Sequence, residues 1–423
     1  MTMYQPLWPL LTPPDQQGRE DLCAKSARGV RVTLADGREL LCATSGLWNS
    51  NLGYGNPAVA QAVADALREA SYLSAWNAEN VHARQAAAEL VELAGADHYG
   101  RVLFSTSGGA ANDLTIKLVR QYQVLRGMAD RRGILALRNA FHGLTFGAAA
   151  LTDAHLGQQL YGVDRRLVGH VPANDGARLQ AALERYEGRI AALFVEPVLG
   201  SGSIALSEEF VADILRLRRE YGFVLVADEV STGFGRTGGT VFASDRWPEP
   251  PDVLVTAKAL TNGTLAASAV IVSREIAEAF LAPDALLGHA ETQAGTPVVG
   301  AAISATVAEL RRLDTPALSE KVGRRLGSEL AAMAAEQPAI ASVTGTGCMW
   351  ALHLSASDGA TPMAQPEVSE LVRAVREAGA IVHPGPHCLQ LIPALVYTDA
   401  EIDELLAILR RGFDSHLATG GQR

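Results

Sequence analysis

An α/β fold with a mostly parallel sheet is what the middle of this sequence predicts, on three observations. Short apolar runs recur at residues 102–104, 133–137, 190–195, 223–227, 253–256 and 268–272. Segments at helical spacing separate them, the alternation expected when helices cover both faces of a parallel sheet. Polar residues of chemical interest, among them Ser107, His142, Asp228 and Lys258, follow the ends of these runs. In open α/β sheets a ligand binds beyond the carboxyl ends of the strands, so these residues belong on one rim.

The flanking elements follow in order. The first 30 residues, rich in Pro and Gln, read as an arm lying over a surface or a partner. Residues 29–43 alternate apolar and polar positions around Ala35-Asp36-Gly37-Arg38, which predicts a β-hairpin with an Asp-Gly turn. Residues 57–70 have helical spacing, with Pro57 at the start and Ala58, Val59, Val63 and Leu67 on one face. A long helix over 298–313, after Pro297, leads into a smaller C-terminal domain of mixed α and β pieces. The expected division is an N-terminal arm and hairpin over 1–45 belonging to the small domain, a large domain over 46–300, and the C-terminal small domain over 301–423.

Composition excludes several classes. The chain has 423 residues, 48% of them apolar, enough for a large core. Asp and Glu outnumber Lys and Arg 46 to 36, and no stretch is basic enough to follow a phosphate backbone, so nucleic acid is not an expected partner. No segment has the roughly 18 uninterrupted apolar residues of a membrane span, and the opening residues lack a secretory pattern; a soluble, cytoplasmic protein is expected. Cys23, Cys42, Cys348 and Cys388 are scattered, without the spacing of a zinc site or a disulfide framework, and no metal is expected.

Four segments carry chemistry. Thr106-Ser107-Gly108-Gly109-Ala110-Ala111-Asn112 joins a strand to a helix; two adjacent Gly at a helix start let free amides approach an anion, and Ser107 adds a hydroxyl. An ordinary strand-to-helix turn has the same composition. Phe141-His142-Gly143 follows the next strand, where an aromatic ring either packs into the core or stacks on a flat heterocycle. Asp228-Glu229-Val230 ends the run at 223–227. An acid there can hold a ring nitrogen protonated, but strand alternation admits only one of Asp228 and Glu229 to the pocket. Lys258 stands thirty positions after Asp228, between an apolar run and a Gly-bearing turn; in apolar surroundings its ammonium pKa falls and the amine becomes a nucleophile, whereas a surface Lys would simply pair with an acid.

Together these segments resemble the class III pyridoxal-phosphate aminotransferases of fold type I. The likeness runs from about Asp36 to Asp403 and also includes Ser45-Gly46-Leu47-Trp48-Asn49, Glu196-Pro197-Val198, Thr232-Gly233-Phe234-Gly235-Arg236-Thr237-Gly238 and residues 289–297. It implies a large domain with a mostly parallel seven-stranded sheet and a smaller α+β domain. It also implies that Lys258 holds pyridoxal 5′-phosphate covalently, Asp228 pairs with the pyridine nitrogen, and Phe141, with His142 beside it, and Val230 enclose the ring. Ser107, Gly108 and Gly109 would bind the phosphate, Glu196 would lie beside the cofactor, and Trp48 would line the substrate pocket. Thr292 resembles a Thr that reaches the phosphate from a neighbouring subunit, implying a homodimer with shared active sites.

Departures from the family pattern occur at Ala110, Gln293, Ala266-Ala267 and Cys42. One more bears on substrate. Where amino-acid-handling relatives carry an Arg before a Pro, this chain reads Cys388-Leu389-Gln390-Leu391-Ile392-Pro393, and no Arg occurs between Arg376 and Arg410. A carboxylate buried without a cation costs several kcal/mol, so the pocket should disfavour ordinary α-amino acids unless Arg236 is recruited to it. The sequence is also similar to the aminotransferases of daptide-type ribosomal peptide pathways, which aminate a C-terminal ketone on a peptide. The expected reaction is transfer of an amino group between an amine donor and a ketone or aldehyde; an ω- or α-amino-acid transaminase, or a decarboxylase, aminomutase or lyase of the same fold, is the alternative.

Overall fold

The structure, a computed structural model, describes residues 6–153, 156–356 and 358–420. Its centre is a seven-stranded sheet: β1 (Tyr99–Ser105), β2 (Gly133–Leu137), β3 (Val168–Val171), β4 (Ile190–Val195), β5 (Val224–Asp228), β6 (Val253–Thr256) and β7 (Ser268–Ser273), in spatial order β1-β7-β6-β5-β4-β2-β3. Strands β3, β2, β4, β5 and β6 pair in parallel, and β7 runs antiparallel to both β6 and β1. The apolar runs locate six of these strands. The seventh, β3, reads Val168-Gly169-His170-Val171; an edge strand needs only one apolar face, and with Gly and His inside it leaves no run to find.

Alternation along the strands assigns the two faces. Ile134, Ala136, Phe194, Val224 and Val226 pack against Leu114, Leu118 and Tyr122 of the helix Gly108–Leu125, while Leu135, Leu193 and Leu225 pack on the opposite side against Phe210, Ile214 and Leu217 of Glu208–Tyr221. A residue's place in the alternation therefore decides which side of the rim its side chain serves.

The predicted hairpin forms from Arg31–Leu34 and Glu39–Cys42, with Gly37 at φ 91° in its turn. The expectation of an arm through residue 30 needs correction: Ala24–Arg28 is a strand paired antiparallel with Arg31–Leu34, unrecognisable in sequence because all five residues are exposed and none carries an apolar face. The arm's first five residues lie outside the described set. The helix Pro57–Glu69 buries Val59 and Ala66, while Leu67 is half-exposed, so its inward face is rotated from the one predicted. Asn56 caps it, accepting from the backbone N–H groups of Ala58 and Val59.

After the helix Pro297–Leu313 the chain builds an antiparallel sheet from Ile340–Thr346, Met349–Leu354, Cys388–Leu391 and His383–Pro384. Its core includes Val30, Leu41 and Ala43 from the N-terminal hairpin, and Ala380–Ile381 pairs with Glu39–Cys42. Among the described residues no helix is long and apolar enough to cross a membrane, and no cluster of His, Cys, Asp and Glu could hold a metal.

Candidate active site

Asp228 ends β5 on the face shared by Val224 and Val226, the side covered by the helix Gly108–Leu125. Its buried carboxylate accepts hydrogen bonds from Asn112 Nδ2 (2.8 Å), His142 Nδ1 (2.7 Å) and the backbone N–H of Val230 (3.1 Å). Burial works against the His142 imidazolium, but the hydrogen bond and charge of Asp228 outweigh it and hold its pKa above the ordinary value. Glu229 falls on the other face, where its carboxylate accepts from Ser244 N and Oγ (2.7 Å each) and from Thr232 Oγ1. Of the two adjacent acids, Asp228 lines the cleft and Glu229 ties the following loop to the sheet.

Lys258 lies in the turn after β6 with φ 48°, a left-handed conformation that a non-glycine residue holds only when its surroundings impose it. Its Nζ donates to Ser231 Oγ (2.6 Å) and lies 4.8 Å from the centre of the Trp48 ring. Burial lowers its pKa to about 8, against the upward pull of Glu196 and Asp228, so a useful fraction of the amine is neutral near physiological pH.

Ser107 caps the helix Gly108–Leu125, its Oγ accepting from the backbone N–H of Ala110 (3.1 Å). The glycines keep this corner open. A Cβ on Gly108 would meet Val230 Cγ1 at 3.1 Å, and one on Gly143, at φ 120°, would meet Gly109 Cα at 2.6 Å. Glu291 braces the same corner, accepting from Thr106 N (3.1 Å) and from the hydroxyls of Ser105 and Thr106.

Phe141 and Val230 line the cleft, and Phe141 is 44% exposed. Behind them Glu196, buried, accepts from Phe141 N (2.9 Å) and Gly200 N (3.0 Å), and burial raises its pKa to about 7. It joins the Phe141 turn to the Gly200 turn, beside the cleft.

Next to Lys258, outside the residues that line the cleft, Trp48, His383 and Gln390 form an adjoining wall. Trp48 and His383 meet edge to face at 5.7 Å, Gln390 Nε2 donates to the Gly200 carbonyl, and a Cβ on Gly200 would lie 3.0 Å from Trp48 Cζ3. Arg236 does not join this wall, which corrects its assignment to the substrate pocket. It is fully buried, and its guanidinium donates to the carbonyls of Cys348 and Pro393, to Asn51 Oδ1 and to Ser45 Oγ. A cation so committed clamps the turn that carries Trp48 and is not free to grip a substrate. Thr292 is exposed, outside the cleft lining of this chain, and its carbonyl accepts from Tyr72 Oη (3.1 Å).

Three neighbours of the reactive groups escaped sequence reasoning. Asn112 was visible only as a polar residue on an otherwise apolar helix face; Ser231 and His383 gave no signal, since their roles depend on contacts made across the fold.

The cleft, about 440 Å³, brings together an amine, a buried acid, an open aromatic face and helix-start amides that no Cβ obstructs. These are the demands of a flat, phosphorylated aldehyde with a basic ring nitrogen, and they fit pyridoxal 5′-phosphate. On this sheet topology they define a pyridoxal-phosphate enzyme of fold type I.

Comparison with known proteins narrows the class. The profile described as Aminotransferase class-III matches residues 14–413, and the chain belongs to that family. It is 32% identical to the acetylornithine aminotransferase of Mycobacterium leprae, over 96% of this chain and 94% of the relative, and 30% identical to an uncharacterized aminotransferase of Bacillus subtilis, over 94% and 92%. Among solved structures it is similar to an amine transaminase from an uncultivated Pseudomonas species in its pyridoxal-phosphate-bound form (TM-score 0.92, 26% identity, 98% and 99% coverage). A second similar structure is an (S)-enantioselective ω-transaminase from Thermomicrobium roseum (TM-score 0.91, 28% identity, 98% and 96% coverage). The protein is a class III aminotransferase that uses pyridoxal 5′-phosphate.

Proposed function

We propose that this aminotransferase moves an amino group from an amine donor to a ketone or aldehyde that lacks a neighbouring carboxylate, in two half-reactions. The C-terminal ketone of a modified ribosomal peptide is the acceptor favoured by the sequence resemblance. One observation carries the reading: among the described residues lining the cleft, Lys258 is the only Lys or Arg. Gln390 is neutral and bonded to Gly200, and Arg236 is spent on backbone carbonyls. A carboxylate entering this wall would lose its water and gain no countercharge.

Pyridoxal phosphate, when bound, supplies an aldehyde for an amine to join and a ring that accepts an electron pair. The chain's own residues do the rest. Lys258 would hold the cofactor and, once released, carry the proton at its Nζ, a task suited to an amine whose pKa lies near 8. Asp228, fixed by Asn112 and His142, would keep the pyridine nitrogen protonated. Ser107, Gly108 and Gly109 would hold the phosphate, and Phe141 and Val230 would cover the ring faces.

A homodimer is part of the proposal. Leu7, Trp8, Leu10 and Leu11 of the N-terminal segment are each more than three-quarters exposed, as Leu160 is, and Thr292 is exposed and outside this chain's own cleft lining. The division into residues 1–45, 46–300 and 301–423 and a cytoplasmic location belong to the same reading. An amino-acid transaminase is the competing proposal, favoured by relatives named for acetylornithine and γ-aminobutyrate.

Half-reaction absorbance across a panel of amines, amino acids, keto acids and peptides ending in a ketone decides between them. Simple amines and ketones are expected to react faster than the matching α-amino and α-keto acids. A strong preference for the acids would remove the neutral-substrate reading.

A further inference from the structure

Beside Trp48, whose indole the Lys258 amine touches, stands a histidine whose imidazole has no assigned part in the chemistry. His383 opens the short strand His383–Pro384 and is paired directly with Gln390, so the two side chains share a face of the sheet. Its ring packs edge to face on Trp48 (5.7 Å, 80°), and the Lys258 amine lies 4.8 Å over that same indole, so the imidazole and the amine share one aromatic neighbour.

What sets His383 apart is that no described residue hydrogen-bonds to its imidazole. Seven other histidines are bonded to protein groups, including His142 to Asp228, His353 to Thr344 and His387 to the Met363 carbonyl. A partly buried ring without a partner leaves hydrogen-bonding capacity unused, and such groups are ordinarily satisfied by something. The wall contains a second such group, Trp48 Nε1, buried with no hydrogen-bond partner among the described residues. Gln390 donates from Nε2 to the Gly200 carbonyl, and among the described residues it makes no hydrogen bond to either group.

The charge state narrows what can bind. Burial lowers the His383 pKa and the Lys258 charge lowers it further, so both favour the neutral imidazole. A neutral imidazole offers one N–H donor and one nitrogen acceptor. An amide offers the complementary pair, a carbonyl that accepts and an N–H that donates. A carboxylate could use only the donor and would bring an uncompensated charge.

We propose that His383 and Trp48 form a recognition wall for a neutral amide group next to the reacting ketone, such as the last peptide bond of a peptide substrate. His383 is the residue that selects it. The proposal rests on the neutral-substrate reading and deepens it. Its test keeps the two apart.

Three ketones of similar size serve as acceptors with isopropylamine as donor: N-(2-oxopropyl)acetamide, which carries an amide, 2-hexanone, which carries no second polar group, and 4-oxopentanoate, which carries a carboxylate. With the native enzyme the expected order of kcat/KM is amide, then plain ketone, then carboxylate. If 4-oxopentanoate is the best of the three, the neutral-substrate reading itself fails. His383→Phe preserves ring packing on Trp48 but removes both hydrogen-bonding atoms, and the amide-to-plain ratio of kcat/KM should fall about tenfold. His383→Gln restores a donor and an acceptor and should recover part of that ratio. Bound-cofactor absorbance reports whether each variant is folded and loaded. A loaded His383→Phe enzyme whose ratio stays within twofold of the native value overturns the assignment of His383 while leaving the neutral-substrate reading intact. A His383→Gln enzyme that recovers none of the ratio overturns it as well.

Discussion

The two sides of the cleft are built differently. The floor is Asp228 and its surroundings, all delivered by neighbouring strands and the helix they feed; its carboxylate receives three hydrogen bonds. The adjoining wall is Trp48, His383 and Gln390, drawn from a turn near the N-terminus and a sheet near the C-terminus, and two of its polar groups have no hydrogen-bond partner among the described residues. The Asp228 carboxylate is held from three directions even though Asn112 Oδ1 and His142 Nε2 beside it have no hydrogen-bond partner among the described residues, whereas on the proposed reading the unpaired groups near Trp48 are left for a substrate. On the proposed reading, chemistry is local to the strand ends and selectivity is a product of tertiary packing.

Lys258 is the group on which both sides converge, and its removal should have the largest effect. Lys258→Ala should abolish covalent cofactor retention and lower turnover by roughly 10⁴-fold or more while the protein stays folded. Near-native turnover with the cofactor absorbance unchanged would mean that the floor is elsewhere. Asp228→Asn keeps the volume but removes the charge proposed to pair with the ring nitrogen, and kcat should fall on the order of 10²–10³-fold for every substrate alike. A uniform loss is the signature of the floor; a loss confined to some substrates would assign Asp228 to the wall.

Arg236→Met tests the link between the two sides. The native guanidinium joins the Ser45–Asn51 region to Cys348 and Pro393, so its removal strands buried carbonyls and should cost about 3 kcal/mol of stability in denaturant unfolding. Because the cation is sequestered, selectivity between an amine and the matching α-amino acid should hardly change. A selective loss of the amino acid would restore Arg236 to the substrate pocket.

Legibility in the sequence follows the same division. Strand ends follow from apolar runs and period-two alternation, which narrowed the acid to one of Asp228 and Glu229; only the observed packing of Val224 and Val226 under the helix Gly108–Leu125 decided between them. The turn at Ser107–Gly109 was visible because glycine at a helix start has a backbone meaning. The strand Val168–Val171 was not, because its pattern carries no apolar run, and Ala24–Arg28 was hidden by full exposure. Arg236 was misplaced because a sequence does not reveal whether a cation's hydrogen bonds are already used. His383 stayed silent because its meaning arises from Trp48, 335 positions earlier in the chain.

The remaining predictions act on the lysine alone. Its pKa is depressed to about 8 by burial, so below that value the amine is mostly ammonium and unreactive. Reloading of apoprotein with pyridoxal phosphate should accelerate about 50-fold from pH 6 to pH 8 and level off above it. A rate still climbing tenfold per pH unit at pH 9 would return Lys258 to an ordinary, solvated lysine.

Ser231 should have the smallest effect. Its Oγ accepts from Lys258 Nζ at 2.6 Å, and a hydrogen bond to a charged donor favours the ammonium form. Ser231→Ala should therefore move the midpoint of the reloading profile to lower pH and slow turnover only several-fold, by removing one contact that orients the amine. The direction matters more than the size. If the midpoint rises instead, Ser231 was not stabilising the protonated amine, and the neutral fraction of Lys258 must be set from the Trp48 side of the cleft.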